Sequence, residues 1–444
     1  MHRSATPPRN RFRPLILTAA IVAGCMSGAP SVAGASIPTS PVSRIIVEPD
    51  AGYGFMDQAL MGARSRIDGS FYELRDPTVE QILAKQADHG VSVHIVLNAA
   101  YRGISENTAA VQFLESHHVH VTWAPAGQIF HAKYAVIDRS VAYIGTGNLV
   151  ASDYSSTRDF WVVDRNPGDL RAIMTTVVND ERSTGTPPAS SNGLVWSPGS
   201  TSQLVAVIAH ARTTLLVENE EMKNTAIESA LSSAARRGVH VTVVMTRSSS
   251  WTAALSALAG AGVTVRALPS SAIYIHAKVI CADCGHGGIA FLGSENFSTY
   301  SLERNRELGL ITTSPLVTST VASIVRSDAR LGSGVSGAGG AGSRGGGTSG
   351  GAVRGLAVTS FLSSISRGAY DTFSVKTAPN ASCDLEVTLP SGYQSGSHGL
   401  GSATASSGGV ASWTWKIGSS THPGTATATV QCGTAKLSQN FSIT

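Results

Sequence analysis

The chain has 444 residues, with 33 Lys and Arg against 29 Asp and Glu. Residues 1–35 contain four Arg and no acid, so the remainder carries 29 basic and 29 acidic residues and is formally neutral. Neutrality argues against a nucleic-acid enzyme, which usually has a basic surplus, although a local basic groove is compatible with the same average. No stretch after residue 35 is apolar enough for a transmembrane helix.

The N-terminal residues 1–35 are typical of a secretory signal peptide. Four Arg precede a short apolar run at residues 15–24, and residues 33–35 (AGA) provide a cleavage site. The run is too short to span a membrane. Residues 22–25 (VAGC) also resemble a bacterial lipobox, so a lipidated Cys25 at the mature terminus is the alternative. Both interpretations predict an exported protein, either secreted or held at the cell surface.

The next region consists of two similar halves, which we place at residues 43–186 and 194–330. The first half predicts a helix at 78–89, a strand at 91–97, a helix at 109–116 and a strand at 119–123. Thr78 and Gln81 have capping-box spacing, and Gly90 is suited to end the helix. The second half predicts a helix ending at 237, then a strand at 239–245, a helix at 252–259 and a strand at 263–266. Residues 187–199 are interpreted as the connector.

Alternation of strands and helices predicts an α/β fold, with a parallel or mixed sheet covered by helices. The duplication indicates two such halves packed about a pseudo-two-fold axis.

Both halves contain the same pattern of chemically capable residues. Residues 131–148 read HAKYAVIDRSVAYIGTGN, and residues 276–296 read HAKVICADCGHGGIAFLGSEN. Each copy has His-x-Lys, four residues, Asp, an apolar strand, a turn ending in Asn, and a carboxylate eleven residues further on. The shared residues are His131, Lys133, Asp138, Asn148 and Asp159 in the first copy, and His276, Lys278, Asp283, Asn296 and Glu307 in the second. Two matching copies argue against a chance match.

The spacing in each copy predicts a site for a phosphoryl group. The residues around His-x-Lys read as a strand, on which positions i and i+2 point to the same face. Each copy therefore offers an imidazole for proton transfer or covalent attack, a fixed cation and an amide donor at one point. Asp138 and Asp283 lie five residues past each Lys and project to the opposite face if the strand continues, which would make them structural.

These paired stretches resemble the HKD motifs of the phospholipase D superfamily, and the resemblance covers about residues 43–330. It implies that both motifs meet in one cleft, where one histidine attacks phosphorus and becomes a phosphohistidine. The other histidine protonates the leaving alcohol and then activates water. Since the N-terminal histidine usually is the nucleophile in this family, the resemblance assigns His131 as nucleophile and His276 as acid.

The resemblance also gives roles to the other motif residues. Asp159 and Glu307 stand where the superfamily has the carboxylate that bonds the histidine Nδ1. The residues expected to neutralise the phosphoryl oxygens are Lys133, Lys278, Asn148 and Asn296. No metal and no other cofactor is expected, because the lysines supply the positive charge.

The C-terminal quarter differs in composition from the rest of the chain. Residues 332–353 are dominated by Gly, Ser and Ala and predict a flexible linker. Residues 354–444 contain short alternating runs at 373–375, 385–389, 411–415 and 426–430, which predict a small β-sandwich of immunoglobulin-like type. Its two interpretations are a module that binds a cell surface or glycan, and a spacer or solubility domain.

The four cysteines after Cys25 form two pairs by position. We predict disulfides between Cys281 and Cys284 and between Cys383 and Cys432, because an exported chain can oxidise both. A zinc site formed by Cys281, Cys284 and His286 is the alternative, although it lacks a fourth ligand.

Three functions are compatible with these patterns. The favoured one is an exported phospholipase D-type phosphodiesterase whose substrate is a phospholipid or membrane surface. The alternatives are an exported nuclease or other phosphodiester hydrolase of the same superfamily, and a surface-binding protein with an inactive enzyme fold. A lipid enzyme should have an apolar rim around its cleft, whereas a nuclease should have a basic groove.

Overall fold

The computed structural model describes residues 37–337 without 270, 271 and 286, and residues 356–444 without 362, 363, 396, 398, 399, 407, 408, 419 and 420. Residues 37–444 group into one compact unit. The predicted signal peptide, the lipobox, His286 and most of the predicted linker lie outside the described residues. Across the described ranges, no helix combines the length and apolar character that crossing a membrane requires.

The first half is a mixed sheet with helices on both faces. Its strands are β1 Val42–Glu48, β2 Arg66–Phe71, β3 Leu74–Arg75, β4 Ser92–Leu97, β5 His120–Trp123, β6 Tyr134–Ile137, β7 Val141–Gly145, β8 Leu149–Val150 and β9 Thr157–Asp164. Its helices are α1 Gly54–Met61, α2 Pro77–Asp88, α3 Gly103–Glu115 and α4 Pro167–Glu181. The main sheet has the order β1-β9-β7-β6-β2-β4-β5, in which β2, β4 and β5 are parallel and the other neighbours antiparallel.

The second half repeats this arrangement. Its strands are β10 Leu194–Ser197, β11 Thr214–Glu218, β12 Met222–Lys223, β13 His240–Thr246, β14 Thr264–Leu268, β15 Tyr274–Ile275, β16 Val279–Ala282, β17 Ile289–Gly293, β18 Phe297–Ser298, β19 Glu307–Thr312 and β20 Ser333–Gly334. Its helices are α5 Thr201–His210, α6 Thr225–Arg236, α7 Thr252–Gly260, α8 Thr299–Glu303 and α9 Pro315–Leu331. The sheet order β10-β19-β17-β16-β11-β13-β14 matches that of the first half strand for strand, which confirms the predicted duplicated α/β fold.

Equivalent helices in the two halves begin and end for the same physical reasons. The Asp76 carboxylate accepts hydrogen bonds from the first backbone N–H groups of α2, and the Asn224 amide oxygen does the same for α6. The predicted capping box at Thr78 is wrong, because Asp76 already occupies the cap and Pro77 begins the helix. Gly90 ends this segment with a φ of +87°, as predicted, since residues with side chains adopt such angles at a cost.

A shared apolar core joins the halves. Buried side chains of β6, β7, β9 and α4 pack in one cluster with those of β16, β17, β19 and α9. The outer face of each sheet has its own core, covered by α1, α2 and α3 in the first half and by α5, α6 and α7 in the second. Strand β15 of the second half also pairs with β9 of the first. The two halves are therefore bound to each other by both packing and backbone hydrogen bonds.

Two predicted connecting segments contain strands. Residues 187–199 were expected to be a connector, but Leu194–Ser197 pair with β19 and begin the second half. The run Leu194–Trp196 is buried there, and its apolar residues are the sequence feature that indicates a strand. At the start of the predicted linker, Ser333 pairs with Ala267 as part of β20, because backbone groups of Ser and Gly can extend a sheet edge without large side chains.

The C-terminal region is an all-β domain. Its strands are β21 Ala357–Ser360, β22 Ser364–Ile365, β23 Tyr370–Lys376, β24 Ser382–Thr388, β25 Gly401–Thr404, β26 Val410–Lys416, β27 Gly424–Cys432 and β28 Ala435–Ile443. They form the sheets β21-β23-β26 and β22-β28-β27-β24-β25, whose inner faces share one core around Trp415 and Phe441. All four predicted strands are present, because their period-2 alternation buries one face of each.

Both predicted disulfides are present. Cys281 is bonded to Cys284, and Cys383 is bonded to Cys432 across the neighbouring strands β24 and β27. The thiols of Cys281 and Cys284 are thus engaged with each other, and the zinc alternative does not describe this pair.

Candidate active site

The two His-x-Lys segments lie just before strands rather than within them. Residues 131–133 precede β6, and residues 276–278 precede β16. The predicted strand position is therefore wrong by a few residues. The reason is that the chain at or just before each histidine bonds to the opposite half and joins its own sheet only from the lysine onward, where Gly145 N–H donates to the Lys133 carbonyl and Gly293 N–H to the Lys278 carbonyl. The backbone N–H groups of His131 and Ala132 both donate to the Arg306 carbonyl, and the Tyr274 N–H donates to the Ser156 carbonyl.

His131 is held by a carboxylate of the second half. Its Nδ1 donates to Glu307 Oε2 at 2.8 Å, because an ionised carboxylate can only accept. The other oxygen of Glu307 accepts from the Ser301 hydroxyl at 2.6 Å and the Asn305 amide at 2.9 Å. Burial raises the pKa of Glu307, but the His131 ring and Lys133 outweigh it and leave the pKa below its usual range. This arrangement fixes the His131 tautomer and leaves Nε2 free for chemistry.

His276 has the reciprocal arrangement with the first half. Its Nδ1 donates to Asp159 Oδ1 at 2.9 Å, and the same oxygen accepts from the Thr146 hydroxyl at 2.6 Å. Burial raises the pKa of Asp159, but His276 and Lys278 lower it by more. The pKa therefore lies below its usual value, and the carboxylate is ionised. The Nδ1 of each cleft histidine is thus oriented by a carboxylate of the other half.

Burial disfavours the protonated form of the His131 ring, so the ring is neutral near pH 7. Its ring is buried, and this burial lowers the pKa of His131 to about 4, with Lys133 contributing in the same direction and Glu307 opposing. Tyr72 packs edge-on against the ring, with 4.8 Å between ring centroids. A neutral imidazole with its Nδ1–H engaged has its Nε2 lone pair available for attack on phosphorus.

The two motif lysines are fully buried beneath the cleft. Each ammonium donates to the backbone carbonyl of the histidine two residues earlier, His131 for Lys133 and His276 for Lys278. Burial lowers the pKa of Lys133 to about 7, and the charge of Lys278 lowers it as well, while Glu307 raises it. Each ammonium therefore lies beside the backbone of its motif histidine, and a cation at that position suits a bound anion.

Asn148 and Asn296 line the same cleft as both histidines. The turn before Asn148 needs glycine at position 147, since a Cβ there would lie 2.5 Å from the Tyr53 hydroxyl and 2.8 Å from Asp159 Cγ. The Asn side chains can donate to phosphoryl oxygens.

The motif aspartates are far from this chemistry. Asp138 accepts hydrogen bonds from the backbone N–H groups of residues 64–66, and Asp283 accepts them from residues 212–214. These bonds lower the pKa of both carboxyls to about 2 despite partial burial. Both residues also have positive φ, 49° and 52°, which marks a tight turn at the strand end. They fasten loops of their own halves and do not face the cleft.

Sequence reasoning missed a carboxylate that touches the second motif. Glu220 Oε2 lies 3.0 Å from Lys278 Nζ and 3.6 Å from His276 Nε2, and Glu220 Oε1 accepts from the Tyr274 hydroxyl at 2.8 Å. Burial raises the pKa of Glu220, but Lys278 and His276 outweigh it, so the carboxyl is ionised. Tyr72 is its counterpart, four residues before the helix cap in the first half, and its ring lies 5.2 Å from Lys133 Nζ. The equal spacing to the caps was the available signal.

The cleft has a volume of about 1020 Å³ and is lined by both halves and by the C-terminal domain. Its carboxylates beside Asp159 are Glu73, Asp153, Glu220 and Glu221, and its aromatic residues are Tyr72, Tyr101, Tyr274, Tyr300 and Tyr393. Among the described lining residues, Lys223 is the one Lys or Arg. The predicted basic groove of a nuclease is therefore not what surrounds these histidines.

A second cluster of potential metal ligands lies elsewhere. One ligand atom each of His94, His120 and Glu181 lies within 4.8 Å of the others. Arg66 Nη1 is 3.4 Å from His94 Nε2, which places a guanidinium against the same ring. The cluster shares no residue with the cleft.

Comparison with known proteins agrees with this geometry. The family model described as "Cardiolipin synthase, PLD-like domain" matches residues 56–179 and again residues 204–329, which together make up more than half of the chain. None of the curated proteins matches the sequence significantly.

Two of the similar solved structures have a TM-score of 0.53 and share the fold at low sequence identity. Polyphosphate kinase from Porphyromonas gingivalis is 15% identical with a TM-score of 0.53, over 65% of this chain and 47% of that one, so this chain spans about half of its length. Phosphatidylserine synthase from Haemophilus influenzae Rd KW20 is 10% identical with a TM-score of 0.53, over 67% and 88%. The phospholipase D family member Nuc from Salmonella typhimurium is 21% identical with a TM-score of 0.30, over 32% and 96%.

The family model matches one copy of the domain in each half, and each half contributes one histidine to the cleft and the carboxylate that bonds the Nδ1 of the other half's histidine. The chain therefore belongs to the phospholipase D superfamily, as a member with two phospholipase D-like repeats.

Proposed function

We propose that this protein is an exported phospholipase D-type phosphodiesterase that cleaves the head group from a phospholipid. The main evidence is a pair of histidine–carboxylate contacts that each join the two halves, His131 with Glu307 and His276 with Asp159, together with two buried lysines. One imidazole can then act as nucleophile and the other as acid, while the lysines neutralise the phosphoryl oxygens.

The first chemical step assigns different roles to the two histidines. His131 Nε2 attacks phosphorus, the bond from phosphorus to the leaving oxygen breaks, and His276 gives its proton to that oxygen. The lowered pKa of His131, about 4, supports the nucleophile role because the ring is neutral at physiological pH.

The second step returns the enzyme to its starting state. His276, now neutral, removes a proton from water, and the water oxygen attacks phosphorus. The P–N bond to His131 then breaks, and its electron pair returns to Nε2. Glu307 and Asp159 stabilise the positive charge that each ring carries in turn.

The lining of the cleft favours a lipid over a nucleic acid. A polyanionic strand is bound mainly through Lys and Arg contacts to successive phosphates, whereas this cleft presents four carboxylates beside Asp159 and one Lys. Its five tyrosines combine an apolar ring with a polar hydroxyl, which suits the boundary between head group and acyl chain.

The disulfides support the export part of the proposal. Both form in oxidising compartments and are rare in the cytosol. The N-terminal signal, with Cys25 as a lipidation alternative, predicts the same location.

A product assay tests the function. Phosphatidylcholine and single-stranded DNA are offered side by side, and we expect phosphatidic acid and free choline from the first and no cleavage of the second. Cleavage of DNA alone would establish the nuclease alternative, and no turnover of either would favour the inactive binding protein.

Primary alcohols test the covalent intermediate. An alcohol can replace water in the second step, so we expect phosphatidyl-alcohol in proportion to alcohol concentration, with retained configuration at a chiral phosphorus. Inversion without trapped product would remove the nucleophile role from His131.

A further inference from the structure

The C-terminal β domain extends a turn into the catalytic cleft. Residues 392–394, which follow β24, line the cleft together with the histidines. The turn is closed by its own backbone: the Gly392 N–H donates to the Leu389 carbonyl at 2.9 Å, the Leu389 N–H to the Tyr393 carbonyl at 2.7 Å, and the Ser395 N–H to the Val387 carbonyl at 2.7 Å. Tyr393 is thus presented on a rigid support.

Tyr393 contacts both catalytic halves. Its ring lies 4.5 Å from that of Tyr101 in the first half, with 49° between the planes. Burial raises the pKa of Tyr393, and a hydrogen bond with Tyr300 of the second half raises it further. Tyr101 and Tyr300 remain 46% and 40% exposed. The three rings therefore form a partly open surface in the cleft.

Tyr101 is held in an unusual backbone conformation. Its φ is +57°, an angle that few residues other than glycine adopt. Such conformations are costly and are retained where the surroundings require a particular side-chain position. Here the angle accompanies the contact between Tyr101 and Tyr393 at the edge of the cleft.

A second contact anchors the β domain. Glu386 on β24 accepts hydrogen bonds at Oε1 from the Ser249 hydroxyl at 2.7 Å and the Ser250 hydroxyl at 2.9 Å. Since Glu386 and Tyr393 lie on one hairpin, the anchor fixes how the turn approaches the cleft.

We propose that the C-terminal domain is part of the substrate site: Tyr393, with Tyr101 and Tyr300, forms an aromatic wall that binds the amphiphilic part of the substrate beyond the reacting phosphate. The inference rests on the proposed lipid function and identifies where specificity for a large substrate arises. A small diester fills only the region between the histidines and does not need the wall.

The experiment uses the full chain and compares dioctanoyl phosphatidylcholine with methyl p-nitrophenyl phosphate. We expect Tyr393→Ala to raise KM for the phospholipid about threefold to tenfold, as for loss of one aromatic contact. Its kcat, and both constants for the small diester, should stay near wild type. Tyr393→Phe keeps the ring and should restore the phospholipid KM. Val410→Ala changes an exposed residue of the same domain outside the cleft lining and is the matched control.

A second variant tests the position of the aromatic wall without changing any of its three tyrosines. Glu386→Gln weakens the anchor and should also raise the phospholipid KM, by a smaller factor than Tyr393→Ala does. An unchanged phospholipid KM in Tyr393→Ala would overturn the proposal. So would an equal rise for the small diester, because the substitution would then be disturbing the catalytic residues themselves.

The outcome separates this inference from the proposed function. If the wild-type protein cleaves single-stranded DNA and not phosphatidylcholine, the lipid function fails, and with it the amphiphilic ligand of the wall. If phosphatidylcholine is cleaved with the same KM by wild type and Tyr393→Ala, the function stands and the wall fails.

Discussion

The two catalytic halves have the same strand order and the same motif, yet they surround their lysines differently. In the first half the Tyr72 ring lies near Lys133, and in the second the Glu220 carboxylate pairs with Lys278. An aromatic ring beside an ammonium excludes water from it and disfavours its charged form, whereas a carboxylate beside an ammonium stabilises the charged form. The duplicated fold therefore produces two chemically different environments from one pattern, and a single residue position before each helix cap creates the difference.

This difference fits the division of labour between the histidines. Tyr72 packs on His131, and burial lowers the pKa of that ring to about 4. His276 instead has a carboxylate 3.6 Å from its Nε2, in addition to Asp159 at its Nδ1. A neutral ring suits attack on phosphorus, and a ring near two carboxylates suits carrying a proton.

The largest effect is expected from removing either histidine. His131→Ala and His276→Ala should each reduce turnover by at least about a hundredfold, the scale of a lost catalytic base or nucleophile. Trapping the covalent intermediate distinguishes the roles of the two histidines. With a substrate that has a good leaving group, His276→Ala should accumulate phosphohistidine, and His131→Ala should not. Circular dichroism checks folding. Near-wild-type turnover in either variant would contradict a site shared by both halves.

The pH profile tests the unequal environments next. His131 must be neutral to attack, so kcat/KM should fall as pH decreases through about 4. Lys133 must be charged to hold phosphate, so kcat/KM should also fall as pH rises through about 7. Bound phosphodiester stabilises the ammonium, which should move the alkaline limb of kcat to higher pH.

Lys133→Arg is the control for the alkaline limb. Guanidinium keeps its charge throughout this range, so an active variant should lose the limb near pH 7. Retention of that limb would assign it to another group.

A smaller effect is expected from Glu220→Gln. Its carboxylate competes with phosphate for the buried ammonium of Lys278, so the variant should bind inorganic phosphate about fivefold more tightly, which corresponds to roughly 1 kcal/mol. Competitive inhibition of small-diester hydrolysis measures this. Glu221→Gln, in the same cleft, should change the inhibition constant less. Equal changes in both variants would show a general charge effect instead of a specific contact.

EDTA is expected to have the smallest effect. Lys133 and Lys278 supply the positive charge at the phosphoryl group, so hydrolysis of a soluble small diester should continue at its original rate. Loss of activity in EDTA that one divalent ion restores would contradict the role given to the lysines. A soluble substrate is needed because divalent ions also change lipid aggregation.

Local patterns predicted much of this molecule. The strands and helices follow from apolar periodicity, and the His, Lys and Asn residues of the cleft follow from their repeated spacing, because those signals lie within segments of about twenty residues. The disulfides followed from cysteine positions and the β domain from period-2 alternation. Errors were concentrated where a segment bonds to residues distant in sequence: His131 and Ala132 bond to Arg306 of the other half, and Leu194–Ser197 pair with β19 at the far end of their own half.

Tertiary structure decided which groups meet. The sequence placed a carboxylate eleven residues after each Asn, but the histidine that each one serves belongs to the other half, 176 residues away for His131 with Glu307 and 117 for His276 with Asp159. The approach of Tyr393 to Tyr101 is a contact of the same kind. No local pattern records such pairs, since they depend on how whole sheets pack, and packing is determined by buried faces distributed over the entire chain.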